Sequence, residues 1–222
     1  MKYIDELIVR RSILQSIKCD IEKAFNILSD CYKNGNKVLV CGNGGSASDS
    51  SHITGELMKG FKKKRTIDCD LKKELEKVIL DFTAKNNCNH GVTKLEEMTK
   101  VLEKGLPTID LTALTSLNTA YINDKDANYM YANAVLGLGN KGDTLIAIST
   151  SGFSKNVVNA CLVAKAKGLN IIALTGKTGG KLKHIADSKI IVPLDETYLI
   201  QEEHIAIYHA LCLDIEDEFF KE

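Results

Sequence analysis

The sequence predicts an α/β protein built on a doubly wound, five-stranded parallel sheet that is flanked by helices. Five short apolar runs alternate with stretches of helical periodicity, an order typical of parallel sheets whose two faces are covered by helices. Loops rich in Gly, Ser and Thr follow the first and third runs, where sheets of this class bind ligands. The predicted strands are residues 37–41, 106–111, 143–149, 170–175 and 189–194.

The segment before the first strand has a helical pattern over residues 5–34. Its apolar positions alternate steps of three and four, as in a coiled coil, so the predicted long helix needs a packing partner. That partner is either the chain's own sheet or a second subunit, and the sequence leaves both open. The apolar stripe comprises Leu14, Ile17, Ile21, Ala24, Leu28 and Cys31.

Residues 66–104 interrupt the α/β alternation and are predicted to form a helical insertion. Apolar residues at helical spacing in the first half, and a capping pair formed by Thr93 and Glu96 in the second, indicate two amphipathic helices. The apolar positions are Leu71, Leu75, Val78, Ile79 and Phe82. A last helix over residues 198–220 closes the chain, and residues 1–222 are predicted to form a single domain.

Charge and composition argue against several classes of protein. The 29 basic and 29 acidic residues balance, which gives no electrostatic argument for a nucleic acid or an anionic membrane as the main partner. The first residues lack the apolar segment of a signal peptide, and no apolar stretch approaches the ~20 residues of a membrane helix, so we expect a cytoplasmic protein. The seven cysteines have no Cys-x-x-Cys spacing and predict neither a disulfide framework nor a thiolate zinc site.

The loop after the first strand, with Gly42, Gly44 and Gly45, is predicted to bind a phosphate. Glycines allow a tight turn whose backbone N–H groups approach an anion, and the next helix points its positive end at that anion. Gly42, Gly44 and Ala47 also satisfy a relaxed dinucleotide-binding fingerprint. That alternative is disfavoured because the fingerprint expects an acidic residue about 20 positions further, after the second strand, whereas residues 62–65 are basic and precede that strand.

A second candidate anion site follows the third strand, where Ser149, Thr150, Ser151 and Ser154 cluster. Hydroxyl groups and backbone donors at the start of a helix suit phosphate oxygens. A serine at such a position also serves as an ordinary helix cap, so the cluster alone leaves both roles open. Because both loops lie at the carboxyl edge of the predicted sheet, they can share one phosphate.

Candidate proton-transfer and metal-binding residues lie on two helices. His52 and Glu56 are spaced i and i+4 and therefore share one helix face. Gln201, His204 and His209 lie on the last helix, and neutral imidazoles make good zinc ligands or acids near neutral pH. Angular offsets place His204 and His209 about 140° apart around that helix. The spacing alone does not tell which of the two faces the site.

Four segments carry a resemblance to a known family: residues 41–56, 122–124, 148–154 and 200–209. In these segments the chain resembles the sugar isomerase (SIS) domains, which bind phosphosugars, and among them the phosphoheptose isomerases. The likeness covers most of the chain outside the insertion. It implies a flavodoxin-like SIS fold and an aldose–ketose isomerase that converts sedoheptulose 7-phosphate to D-glycero-D-manno-heptose 7-phosphate.

The resemblance also implies roles for individual residues. His52, Glu56, Gln201 and His209 match the zinc-binding positions of the phosphoheptose isomerases, which leaves His204 as a structural histidine. Glu56 would be the base and His209 the acid, with zinc as the Lewis acid. Gln201 and His209 lie roughly 12 Å apart along an ideal helix, so both must lean toward a shared ion. The positions expected to contact the phosphosugar are Asn43, Gly44, Gly45, Ser46, Asn123, Asp124, Ser149, Thr150, Ser151, Ser154 and Gln201.

Further expectations come from the same resemblance. The family's active sites lie between subunits, which implies a homo-oligomer and most simply a tetramer. Phe153 stands where the family usually carries Asn, a change that alters the pocket wall and leaves the hydroxyl positions intact. Other relatives with this fold are phosphosugar sensors or protein-binding adapters without activity, and these can lose the acid–base pair. This chain keeps Glu56 and His209, which favours an enzyme; the insertion would then be an added interaction module or a flap.

Overall fold

The computed structural model describes residues 1–86 and 95–221 and has the predicted α/β architecture. Its strands are β1 (Val38–Cys41), β2 (Thr108–Asp110), β3 (Thr144–Ile148), β4 (Asn170–Gly176) and β5 (Ser188–Val192). They form one parallel sheet in the spatial order β2-β1-β3-β4-β5. The strand order reverses between β1 and β3, so the carboxyl ends of these two strands mark the topological switch point where such sheets bind ligands.

Helices cover both faces of the sheet. The α-helices are α1 (Lys2–Arg10), α2 (Lys18–Lys33), α3 (Gly45–Met58), α4 (Cys69–Asn86), α5 (Leu95–Val101), α6 (Thr115–Asp124), α7 (Met130–Leu138), α8 (Lys155–Lys167) and α9 (Thr197–Phe219). Because side chains alternate along a strand, β1 places Val38 and Val40 in one core and Leu39 and Cys41 in the other. The first core contains residues of α1, α2, α3 and α9, and the second contains residues of α7 and α8.

The N-terminal segment is not the single long helix that the sequence predicts. A short 3₁₀ segment, Ser12–Ile17, separates α1 from α2. The break lies at Arg11, whose backbone has φ −132° and ψ 72° and whose guanidinium pairs with Glu203 on α9. The prediction was wrong because helical periodicity continues across the break, and sequence spacing does not reveal a contact with a distant helix.

The apolar stripe of this segment packs inside the chain. All six stripe residues are at most 8% exposed and belong to the core shared with α9 and the sheet. Of the two packing partners that the sequence left open, the chain's own sheet is therefore the one observed, and not a second subunit. The stripe provides no surface for a second subunit.

The insertion contains α4 and α5, which agrees with the prediction of two helices. Its two ends meet at a neck, where Thr66 and Glu103 form an antiparallel bridge and the amide of Lys104 donates to the carbonyl of Arg65 at 2.8 Å. Several apolar side chains of the insertion remain exposed, among them Leu71, Val78, Leu80, Phe82 and Val101. The predicted capping residue Thr93 lies outside the described residues.

The fold brings two loops to the switch point. β1 leads into α3 through residues 42–44, and β3 leads into α8 through residues 149–154. The last helix, α9, packs against α3 in the same core. None of the helices in the described ranges combines the length and the apolar character that crossing a membrane requires.

Candidate active site

The loop between β1 and α3 requires glycine at two positions. Gly44 has φ +56°, and a Cβ atom on Gly42 would lie 2.5 Å from the carbonyl oxygen of Ser46. The amides of Ser46 and Ala47 donate to the carbonyls of Asn43 and Gly44, each at 3.0 Å, and close the turn. No acidic side chain lies in the first turn of α3. The positive end of α3 is therefore free of a competing carboxylate from that turn.

The loop between β3 and α8 brings its hydroxyl groups together as predicted. The Oγ atoms of Ser149 and Ser154 lie 3.0 Å apart, and the amide of Phe153 donates to Ser151 Oγ at 3.2 Å. Gly152 has φ +68°, and a Cβ there would lie 2.1 Å from the carbonyl oxygen of Gly179, so only glycine fits. The Phe153 side chain is 54% exposed and, with Tyr129 and Asn159, lines an open cleft of about 300 Å³.

The two loops are tied together through side chains. The amide groups of Asn43 and Asn156 form two hydrogen bonds, each of 2.9 Å. On the other side of the glycine loop, the buried hydroxyl of Tyr131 donates to the carbonyl of Gly42 at 2.7 Å. These contacts fix the spacing between the two predicted phosphate loops.

The predicted acid–base residues of α3 and α9 both lie beside His52. His52 Nε2 lies 3.3 Å from Glu56 Oε1 and 3.5 Å from His209 Nε2. The Glu56 side chain is 12% exposed, whereas that of His52 is 45% exposed. The ring of His209 also contacts Phe61, with 5.5 Å between centroids. Burial, together with the neighbouring His52, lowers the pKa of His209 despite the opposing effect of Glu56.

A hydrogen-bond chain behind His52 sets its tautomer. The hydroxyl of Tyr208 donates to Asp49 Oδ1 at 3.3 Å and lies 2.8 Å from His52 Nδ1. A tyrosine hydroxyl donates one hydrogen and the carboxylate of Asp49 can only accept, so we assign that hydrogen to Asp49 and the proton of His52 to Nδ1. Burial raises the pKa of Tyr208 well above its usual range. The lone pair on His52 Nε2 therefore faces Glu56 and His209.

The chemistry of this junction fits a divalent metal. An imidazole lone pair that faces a carboxylate and a second imidazole is favourable only with a proton or a cation between them. Ligands bound tetrahedrally to zinc at 2.0–2.2 Å lie roughly 3.3–3.5 Å from one another, close to both separations measured at His52. Within residues 1–86 and 95–221, no group of three or more His, Cys, Asp or Glu side chains already surrounds a common point. Small side-chain rotations are thus needed before these residues converge.

Gln201 lies at the glycine loop. A Cβ atom on Gly45 would lie 2.3 Å from Gln201 Nε2, so the amide rests directly on the first residue of α3. His52 is about 10 Å further along that helix. In this arrangement the Gln201 amide faces the anion loop, and its predicted role as a metal ligand requires the side chain to turn toward His209.

His204, the other histidine of α9 that the sequence singled out, is fully buried. Its Nε2 lies 3.2 Å from the carbonyl oxygen of Thr175 on β4. Its Nδ1 is buried and has no hydrogen-bond partner among residues 1–86 and 95–221. Burial lowers its pKa to about 4, although the hydrogen bond to Thr175 acts in the opposite direction. This environment is that of a neutral histidine packed against the sheet.

The structure does not connect the predicted residues Asn123 and Asp124 to either loop. Both are exposed at the end of α6, and the Asn123 amide donates to the carboxylate of Asp124 at 2.8 Å. Within the described residues, neither forms a hydrogen bond with residues 42–46 or 149–154. Their proposed contact with a phosphosugar therefore requires a ligand that extends beyond the two loops.

Comparisons with known proteins assign the family. A model described as the SIS domain matches residues 2–101 and 92–176. The chain is 36% identical over 206 residues to a phosphoheptose isomerase of Aliarcobacter butzleri, covering 93% of this chain and 89% of that protein. It is 37% identical over 206 residues to a phosphoheptose isomerase of Helicobacter pylori, with coverages of 93% and 88%. The chain belongs to the phosphoheptose isomerase family of SIS-domain proteins.

Solved structures of phosphoheptose isomerases share its fold. The structure of the enzyme from Neisseria gonorrhoeae matches with a TM-score of 0.71 at 29% identity and covers 96% of this chain and 94% of its own. The one from Francisella tularensis matches with a TM-score of 0.71 at 30% identity and coverages of 98% and 95%. The predicted SIS fold and the predicted isomerase family are confirmed.

Sequence reasoning missed several residues of this phosphoheptose isomerase family member that support the site. Tyr208 and Asp49 fix the tautomer of His52, and Asn156 holds Asn43. Two of the three carry a local signal, because Asp49 precedes His52 by one helical turn and Tyr208 adjoins His209. Asn156 is two residues beyond the hydroxyl cluster, and only its partner in the other loop gives it a role.

Proposed function

We propose that this protein isomerises sedoheptulose 7-phosphate to D-glycero-D-manno-heptose 7-phosphate. The observation that carries the proposal is the meeting of Glu56 and His209, from two different helices, at His52. Family membership supports the reaction type, and the two joined loops at the switch point provide a place for a phosphate. His52 and the base Glu56 lie about 10–16 Å along α3 from that place, which separates the phosphate from the reacting carbons.

In the proposed reaction Glu56 moves a proton between the two reacting carbons. An aldose–ketose isomerisation needs a base for the carbon-bound proton and an acid for the oxygens. The Glu56 carboxylate is largely buried, and His209 presents Nε2 toward the same junction. His209 would therefore serve the oxygens while Glu56 removes the proton from one carbon and returns it to the next.

In this proposal, uncharged groups of the two loops bind the phosphate group of the sugar. Residues 42–46 and 149–154 contain no Lys or Arg. Backbone N–H groups at the start of α3, the hydroxyls of Ser149, Thr150, Ser151 and Ser154, and the Gln201 amide would bind the phosphate oxygens. Binding energy from this remote group orients the carbon atoms at Glu56.

We further propose a zinc ion held by His52, Glu56 and His209. Gln201, the fourth predicted ligand, lies at the anion loop and would reach this ion only by turning away from the phosphate. When bound, zinc would supply a Lewis acid for the carbonyl and hydroxyl oxygens of the sugar. The electron-rich junction at His52 Nε2 supports the presence of a cation. Elemental analysis of protein purified without chelator tests this, and failure to bind zinc on titration would contradict it.

The proposed assembly is a homotetramer in the cytoplasm. The exposed apolar side chains, such as Leu71, Val78 and Phe82 on α4, provide surface for contacts between subunits. The N-terminal stripe does not, because it is buried. Light scattering at micromolar concentration is the test, and a single species of 24.4 kDa would contradict it.

The deciding experiment incubates metal-loaded protein with a panel of ketose phosphates and follows aldose formation by NMR. We expect turnover of sedoheptulose 7-phosphate and weaker turnover of shorter ketose phosphates. Binding of phosphosugars without turnover of any panel member would contradict the proposal and favour a non-catalytic sensor.

A further inference from the structure

Arg65 lies where the last turn of α3 ends, and its guanidinium is fully buried. Its Nη1 donates to the carbonyl of Leu57 at 2.6 Å, and its Nη2 donates to the carbonyl of Glu56 at 3.1 Å. The last carbonyls of a helix have no partner within the helix and carry partial negative charge. A single cation therefore holds the backbone of the residue proposed as the base.

The guanidinium is held in turn by Glu216 on α9. Arg65 Nε donates to Glu216 Oε1 at 2.9 Å. The same carboxylate accepts from the amides of Phe61, Lys62 and Lys63 at 2.7–3.2 Å. Burial alone would raise the pKa of Glu216, but these amides and the guanidinium offset it, and the net pKa is lowered. The carboxylate thus stays charged and organises the loop that follows α3.

The Arg65–Glu216 pair reaches both proton-transfer residues. It holds Glu56 through the carbonyl of Glu56 itself. It also holds the amide of Phe61, whose ring contacts the imidazole of His209. Few buried ion pairs are needed for stability, since apolar side chains of similar volume often stabilise a protein equally well. A forked donor that binds two carbonyls and a carboxylate at once is a geometric device that lysine cannot reproduce.

We propose that Arg65 is a positioning residue of the isomerase site. It fixes the position of Glu56 directly, and through Glu216 and Phe61 it fixes the position of His209. The proposal rests on the proposed function of those two residues. A displacement of about 1 Å in a catalytic group costs about 100-fold in rate. Loss of the pair is therefore expected to lower kcat and leave phosphosugar binding nearly unchanged.

The test compares Arg65→Lys, Arg65→Met and Glu216→Gln with the matched control Asp143→Asn. Asp143 is also a buried carboxylate that binds a cation, Lys37, and backbone amides. It lies at the amino edge of β3, away from the switch point. The control therefore reproduces the loss of stability without touching α3 or α9.

The expected result is a fall in kcat of about 10- to 100-fold in Arg65→Met and Glu216→Gln, with KM within about threefold. Arg65→Lys should recover part of the rate, and Asp143→Asn should keep the wild-type kcat per folded molecule. In metal-free protein, the ring resonances of His209 should shift in Glu216→Gln, and amides 61–63 should exchange faster. Neither change is expected in Asp143→Asn.

Wild-type kcat in both Arg65→Met and Glu216→Gln, or a fall no larger than that of Asp143→Asn, would overturn the proposal. An unchanged His209 resonance in Glu216→Gln would do the same. If Arg65→Met does not fold, Arg65→Lys and Glu216→Gln decide. If the wild type turns over no sugar phosphate, the proposed function fails, and the resonance and exchange measurements still decide whether the pair positions the two residues.

Discussion

The side chains of Asn43 and Asn156 each donate Nδ2 to the other's Oδ1, and both hydrogen bonds are 2.9 Å long. This pair joins the glycine loop after β1 to the first turn of α8. A phosphate that is shared by two loops is bound well only when the loops keep a fixed spacing, because each missing constraint adds an ordering cost on binding. The amide pair supplies that constraint.

Asn156→Ala should therefore raise KM for the sugar phosphate by about 5- to 30-fold with a small effect on kcat, since the loss of a hydrogen-bonded partner costs about 1–2 kcal/mol. Steady-state kinetics provide the measurement. Asn159→Ala is the control, because Asn159 lies on the same helix and its amide donates to the carbonyl of Asn128, outside both loops. Equal effects of the two substitutions would argue against a role for the loop spacing.

Glu56→Gln should lower kcat by roughly 10²- to 10⁴-fold, because the amide keeps the shape of the side chain but cannot accept the carbon-bound proton. Affinity for the phosphosugar should change little. Zinc content is measured on the same sample, since Glu56 is also a proposed ligand. Near-normal turnover by a zinc-replete variant would remove Glu56 as the base.

Tyr208→Phe removes the hydroxyl that accepts from His52 Nδ1. Partners that orient a ligand imidazole typically contribute 10- to 100-fold in metal affinity, so zinc affinity should fall by about that factor. Competition with a fluorescent chelator measures it. Tyr131→Phe is the control for the loss of a buried tyrosine hydroxyl, because the Tyr131 hydroxyl donates to the carbonyl of Gly42 and not to His52. Unchanged zinc affinity in Tyr208→Phe would exclude this role.

His204 should make the protein less stable in mild acid. Its pKa is about 4 in the folded protein and about 6.5 in the unfolded chain. The unfolded state therefore binds a proton first, and stability that is fully present above pH 6.5 is lost as the pH falls toward 4. The loss amounts to about 3 kcal/mol. Urea unfolding of the wild type and His204→Gln between pH 4.5 and 7.5 measures it; parallel curves would contradict the assignment.

Removal of the insertion should alter kinetics more than stability if α4 and α5 form a flap at the mouth of the site. Thr66 and Glu103 are paired, so a short linker can replace residues 68–101 without opening the neck. Glu103 must stay, because its carboxylate accepts from the amide of Gly60 at 2.9 Å. KM and substrate preference are the measured quantities. Unchanged kinetics would assign the insertion to a partner interface instead.

The sequence predicts the strands and the insertion because apolar runs and helical spacing are local signals. Residue types at fixed spacing likewise predict the pair His52 and Glu56. The break at Arg11 and the buried Arg65–Glu216 pair escape such reasoning, since each depends on α9, roughly 150 to 190 residues further along the chain. Gln201 shows the same limit. Helical spacing gives its face, whereas its contact with Gly45 follows from how α9 crosses α3.

Because Thr66 and Glu103 pair at the neck, the insertion is a site where a foreign domain can be added to the chain. Domain insertion succeeds where the two ends of a surface segment lie together, and here Lys104 binds Arg65 directly. A fluorescent domain placed between residues 68 and 101 would leave the sheet intact and sit one hydrogen bond, that of Glu103 with Gly60, from the end of α3. Such a chimera would carry its reporter beside the end of α3, the helix on which Glu56 lies.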